Sequence, residues 1–171
     1  MRKIKLSDFG SALESGENKI TDNLVARYYR PPEIYLGYPY DYSLDIWSFG
    51  CTLFELFTGK VLFPGCSDSH VLKLMMEVKG GIPKKMRNQG QFVDRFFDQF
   101  HFVFNDGESV KKIPIGEVKK EKSLISMLGV QSSEEKEEVM KLGNLLEQCL
   151  ELDPNERISP ETALLHPFLM K

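Results

Sequence analysis

Apolar side chains crowd one stretch of the chain. Between Ser43 and Lys60 stand Leu44, Ile46, Trp47, Phe49, Cys51, Leu53, Phe54, Leu56 and Phe57, with two acids, Asp45 and Glu55, among them. The spacing predicts a helix over 43–60. Ser43 is an N-cap type of residue, and Gly59 followed by Lys60 is a stop signal. Apolar positions run round most of the circumference, which is the pattern of a helix buried on nearly all sides. The stretch is too short to span a bilayer, which takes roughly 20 apolar residues. It therefore reads as the central post of a mainly α fold. An Asp45 buried in such a post needs partners. It either caps its own helix or holds a functional loop against the post.

The rest of the pattern is shorter-ranged. Arg2 to Ser7 alternate basic and apolar residues, which predicts a short half-buried strand with Ile4 and Leu6 on one side. Asp8-Phe9-Gly10 follows as a turn, and residues 11–26 are polar enough for an exposed loop. Pro31-Pro32 forces extended backbone and then opens a short helix through about Leu36, with Glu33 at its positive end. Ser67 to Lys79 carries Val71, Leu74, Met75 and Val78 at helical spacing. Leu142 to Leu152 and Ser159 to Leu165 predict two further helices. Residues 80–136 read as an irregular insert, a Phe-rich loop from Phe92 to Phe104 followed by a solvated Lys-rich loop from Lys111 to Lys122.

Composition narrows the class. A chain of 171 residues, 42% hydrophobic and 27% charged, is a folded domain or a large part of one. A net charge of −3 gives no reason to expect direct nucleic-acid binding. Cys51, Cys66 and Cys149 lie far apart, with neither metal-site nor disulfide spacing, which suits a reducing compartment. No signal peptide or membrane span is legible.

The candidate chemistry starts at Asp8. An acid after a strand is often a plain turn, but it is also a hard oxygen ligand for magnesium on ATP phosphates. Order decides between the two. Asp8-Phe9-Gly10, a polar loop, Pro31-Pro32-Glu33, Asp45-Ile46-Trp47-Ser48-Phe49-Gly50 and Asp153-Pro154-Asn155-Glu156-Arg157-Ile158-Ser159 form an ordered series. The series resembles the second half of a eukaryotic protein kinase domain. The 80–136 insert, and Arg27 three residues before Arg30-Pro31-Pro32-Glu33, resemble the CMGC group. Within it, Leu6 to Ala12, Leu24 to Arg30, Tyr40 to Asp45, Cys51 to Gly65 and Lys73 to Pro83 are similar to the pre-mRNA-processing factor 4 kinases, near the DYRK and CLK types.

The resemblance implies a C-terminal lobe and a serine/threonine kinase activity. Asp8 would be the catalytic metal ligand, with Phe9 and Gly10 on the cofactor side, and the cofactors would be ATP and Mg²⁺. Arg27, Tyr28, Tyr29 and Arg30 would form the platform for a protein substrate. Glu33, Asp45, Trp47 and Arg157 would be structural. Glu33 and Arg157 would form a bidentate pair, against the plainer reading of Arg157 as a surface helix cap. Arg27 would bind a phosphorylated loop residue. Asn23 stands where the family commonly has Tyr, so Thr21 is the candidate phosphorylation site, unless Asp22 supplies charge unmodified or Thr21 is an ordinary loop residue. His166 before Pro-Phe reads as structural. Splicing factors as partners and a nuclear location come from the same resemblance.

No G-x-G-x-x-G and no H-R-D occurs in the 171 residues. Residues 1–171 are thus expected to be a partial kinase domain, lacking the N-lobe and catalytic loop and inactive alone. The other reading is a non-catalytic binding module derived from such a lobe.

Overall fold

A computed structural model describes residues 5–13, 19–129 and 136–170. Among them are seven α-helices and one two-stranded sheet. In chain order these are α1 (Pro32–Leu36), α2 (Ser43–Thr58), α3 (Asp68–Lys79), α4 (Lys84–Gln89), β1 (His101–Asn105), β2 (Val110–Pro114), α5 (Leu124–Leu128), α6 (Lys136–Cys149) and α7 (Pro160–Leu164). Arg27–Tyr29, Val93–Arg95 and Ile115–Glu117 are 3-10 turns.

Helix α2 is placed as its sequence predicts, but two of its details differ. Ser43 is its first helical residue rather than its cap. Asp41 does the capping work: its Oδ1 accepts the Ser43 N–H at 2.8 Å. Nor is α2 buried on nearly all sides. Trp47, Gly50, Cys51 and Phe54 are buried, while Asp45, Phe49, Leu56 and Phe57 are exposed, Leu56 at 77%. Helix α6 covers only one flank of α2, so apolar residues on other sides stay largely open to solvent among the described residues. The expectation of a buried Asp45 fails for the same reason.

The inner flank is tightly packed. A Cβ on Gly50 would stand 3.0 Å from Cys149 Cβ and 3.1 Å from the Leu150 side chain, so only hydrogen lets α2 and α6 approach this closely. Trp47 stacks on Phe63 with ring centroids 5.8 Å apart. One core joins these residues to Val71, Leu72 and Met75 of α3, to Leu142 and Leu146 of α6, and to Phe102 and Phe104 of β1.

Other expectations also change. Lys5 to Phe9 is not a strand, and Leu6 is 86% exposed; the remainder of the expected strand lies outside the described residues. Helix α3 follows its pattern, with Ser67 as N-cap accepting the His70 N–H at 3.0 Å. The 80–136 region is not irregular. It holds α4, α5 and an antiparallel hairpin, β1 against β2, with His101 opposite Pro114 and Asn105 opposite Val110. Phe102 and Phe104 alternate inward along β1, the period of a strand with one covered face. The Lys-rich loop is tied down as well. Glu77 holds Lys73 and Lys122, and Glu147 holds Lys79 and Lys120. Helix α6 ends at Cys149, three residues before Leu152, where the chain turns into 150–159. Ser159 caps α7 by accepting the Thr162 N–H at 3.2 Å.

Candidate functional site

The residues leading into α1 form a shelf whose polar groups are nearly all engaged. Arg30 closes it from below. Its Nε donates to the carbonyls of Leu24, at 3.0 Å, and Val25, at 3.1 Å. Its guanidinium lies 5.2 Å from the centre of the Tyr35 ring. Both carbonyls point at one cation because Val25 adopts φ +68, a left-handed backbone that β-branched residues rarely accept. Arg27 donates from Nε to Asp68 Oδ1 at 3.1 Å and from Nη1 to the Cys66 carbonyl at 3.3 Å. Its own carbonyl accepts the Tyr35 hydroxyl at 2.7 Å. Burial pushes the Tyr35 phenol up, so it stays a donor across the physiological range.

Tyr29 turns inward. Its hydroxyl donates to Glu55 Oε2 at 2.6 Å, and its carbonyl accepts the Ser48 hydroxyl at 3.0 Å. The Glu55 carboxylate raises the Tyr29 phenol, with burial adding to the effect. Tyr28 stays 40% exposed at the outer edge of the shelf. The shelf thus rests on α2 through two polar contacts and on the start of α3 through Asp68.

Beneath it lies one buried ion pair. Arg157 donates from Nη1 to Glu33 Oε1 at 2.8 Å and from Nη2 to Glu33 Oε2 at 2.9 Å. Both side chains have zero exposure. Two further donors are used: Nε bonds the Glu151 carbonyl at 3.1 Å, and Nη1 bonds the Ser43 carbonyl at 2.9 Å. The guanidinium lies over Trp47, 5.3 Å from its ring centre. A buried charge needs such full partnering. The pair ties α1, the start of α2 and the loop after α6 into one rigid joint.

Asp8, Phe9 and Gly10 stand apart from this shelf and share no hydrogen bond with it among the described residues. All three are exposed, and Asp8 adopts φ +62, which Asp tolerates better than most residues. The Ala12 N–H bonds the Phe9 carbonyl at 3.0 Å and closes the turn. An exposed carboxylate on a turn suits a magnesium ion, which takes one or two carboxylates and keeps other positions for phosphate and water. Thr21 Oγ1 accepts the Asn23 N–H at 3.2 Å, and Asp22 pairs with Arg95. His166 is buried, bonding Asn144 through Nε2 at 2.9 Å and accepting the Phe168 N–H on Nδ1 at 3.2 Å, a structural clamp near the chain's end.

For several residues that build the site, Val25, Ser48, Glu55, Asp68 and Arg95, no signal in the sequence assigns a role. Their partners are 19 to 73 residues away, apart from the Val25–Arg30 contact. The arrangement offers rigid polar surface and one hard oxygen ligand. No nucleophile–base pair is built into the shelf among the described residues.

Residues 1–169 match the protein kinase domain family. The serine/threonine-protein kinase prp4 of Schizosaccharomyces pombe is 43% identical over 98% of this chain, and prpf4B of Dictyostelium discoideum is 42% identical over 97%. A probable serine/threonine-protein kinase, dyrk2 of Dictyostelium discoideum, is 36% identical over 98%. The chain spans 37%, 22% and 17% of the lengths of these three relatives. A family match over nearly the whole sequence, with prp4-type kinases at 42–43% identity, places this chain in the protein kinase family.

Proposed function

We propose that the chain is the part of a serine/threonine protein kinase that holds a protein substrate and supplies one metal ligand. Residues 1–171 are read as a partial kinase domain, from the Asp-Phe-Gly turn to the domain's end, with 80–136 as its CMGC-type insert. The observation that carries the reading is the shelf from Leu24 to Glu33, locked from beneath by the buried Glu33–Arg157 pair. In this reading Asp8 would help hold Mg²⁺, which would supply positive charge against ATP phosphates. A Gly-rich loop and an H-R-D loop, absent from this sequence, are needed for the chemistry, so a polypeptide of these 171 residues alone does not transfer phosphate.

The shelf also points to a substrate class. An extended peptide laid along it would normally offer backbone N–H groups to the platform's carbonyls. The Leu24 and Val25 carbonyls are already taken by Arg30. A residue with no N–H therefore fits best after the target hydroxyl, and that residue is proline. The substrates are read as splicing factors and the location as nuclear, a reading that rests on the resemblance to the prp4-type kinases.

The test uses the full-length native protein, ATP with Mg²⁺, and peptides paired as Ser-Pro and Ser-Ala. Preferred transfer to Ser-Pro supports the reading. Equal transfer to both sinks the proline preference, and no transfer to any peptide or protein sinks the kinase assignment.

A further inference from the structure

The loop before the shelf is anchored by a contact that the kinase reading does not use. Between Lys19 and Ala26 the only hydroxyl-bearing residue is Thr21, and there is no Tyr. Thr21 accepts the Asn23 N–H and so folds the chain into a tight turn that presents Asp22. The Asp22 carboxylate pairs with the Arg95 guanidinium across 73 residues of sequence. That guanidinium, hydrogen-bonded to it, holds the Asp22 carboxyl below the usual carboxylate range, so Asp22 is ionised at neutral pH.

Arg95 is itself fixed. It closes the 3-10 turn Val93–Arg95, and its guanidinium lies 4.2 Å from the centre of the Phe92 ring. The Phe92 N–H bonds the Leu36 carbonyl at 2.9 Å. The Phe92 ring presses on Gly37, where an added Cβ would stand 2.7 Å from the ring edge. Gly37 is the C-cap of α1, the helix whose first turn carries Glu33. Asp22 is therefore tied through Arg95, Phe92 and Gly37 to the helix that the shelf runs into. A second tether starts at Lys19, whose carbonyl accepts the Tyr40 hydroxyl at 2.9 Å.

The two arginines that could otherwise receive a phosphate are already engaged. Arg27 is bonded to Asp68 and the Cys66 carbonyl, and Arg30 to the Leu24 and Val25 carbonyls. Asp68 is the carboxylate they share, 3.1 Å from Arg27 and 3.9 Å from Arg30, so both side chains already have partners that fix their positions. Resting on the kinase reading, we propose that Arg95 is a positioning residue for the substrate platform, and that its pair with Asp22 replaces a phosphate on residues 19–26. The loop is then held in place by its own sequence.

The pair is about half exposed, and exposed pairs have modest effects. The expected change is accordingly small and falls on substrate binding. The experiment uses the full-length kinase, phosphatase-treated, with mass spectrometry showing residues 19–26 free of phosphate. Wild type keeps its activity after that treatment. Arg95→Gln raises KM for the protein substrate about two- to five-fold, the range an exposed pair commands. KM for ATP and kcat stay within about two-fold, since the shelf does not touch the nucleotide. Arg95→Lys recovers part of the loss, and the exchange Asp22→Arg with Arg95→Asp recovers more than either single change. Loss of wild-type activity on removing phosphate from 19–26 overturns the proposal. So does an Arg95→Gln enzyme indistinguishable from wild type.

Hydrogen exchange separates this outcome from failure of the kinase reading. Even in an inactive protein, amides of 19–26 exchange faster in Arg95→Gln and slow again in the charge exchange. Unchanged exchange overturns the clamp whatever the activity.

Discussion

Replacing Arg157 by alanine would strand the Glu33 carboxylate in a site closed to solvent. Breaking one half of a buried pair costs about 3–5 kcal/mol. The same cost follows from Glu33→Ala, which leaves the guanidinium over Trp47 with only carbonyls to bond. Denaturant midpoints of both variants and the double variant check this: the double should lie well above the sum of the singles, because it leaves no orphan charge. Additive losses would mean that the pair is not coupled. No periodicity joins residues 124 apart, and only the kinase-like order of motifs made this contact legible. Val25 is the opposite case. A β-branched residue advertises extended backbone, and only the geometry around Arg30 holds it at φ +68. The thiols offer a second check at this scale. Burial pushes Cys51 up and Cys149 up to about 11, while Cys66 is exposed beside His70, 3.2 Å from Sγ to Nδ1. A thiol reagent should therefore label one cysteine in the folded chain and all three after unfolding. Early labelling of Cys51 or Cys149 would contradict the packing of α2 on α6.

The elements show where pattern reading succeeds and where it stops. Helices α1, α2 and α3 were legible because capping residues, glycine stops and apolar spacing agree. The hairpin was not, because the Phe-rich run read as loose aromatic packing rather than as Phe102 and Phe104 at strand period. Sidedness of α2 also escaped, since hydrophobicity alone does not say which neighbour is present. Two substitutions test the packing. Gly50→Ala forces a methyl against Cys149 and Leu150 and should cost about 1–3 kcal/mol, read as a lower Tm. An unchanged Tm would mean that α2 and α6 are not in such close contact. The second concerns the loop clamped to α3. Burial pushes the Glu77 carboxyl up, but hydrogen bonds from Lys122 and Lys73 outweigh that and leave it below the ordinary range. A folded-state value below the unfolded one, about 4.3, means the stabilisation is complete above that pH. It fades as pH falls through the depressed value. Glu77→Gln should remove this part of the acid dependence, and an unaltered slope of stability against pH below about 4.5 would refute it.

At the scale of the molecule, the outer flank of α2 is the open question. Phe49 and Leu56 share a face of α2 with Asp45, and Phe57 stands to the side of it, the three apolar residues exposed at 43%, 77% and 50%. Contiguous exposed apolar surface usually marks an interface. The relatives are far longer than this chain, and a kinase needs the loops that this sequence does not contain. In the full-length kinase those parts are expected to cover this flank, so one substitution has opposite effects in two contexts. In the 171-residue chain, Leu56→Glu touches nothing and should change stability by no more than about 0.5 kcal/mol while reducing self-association, measured by light scattering. In the full-length protein the same glutamate would be buried without a partner. It should lower Tm sharply and take phosphoryl transfer with it. A neutral effect in both would show that nothing covers α2, and the flank would then serve some other partner than the rest of the domain.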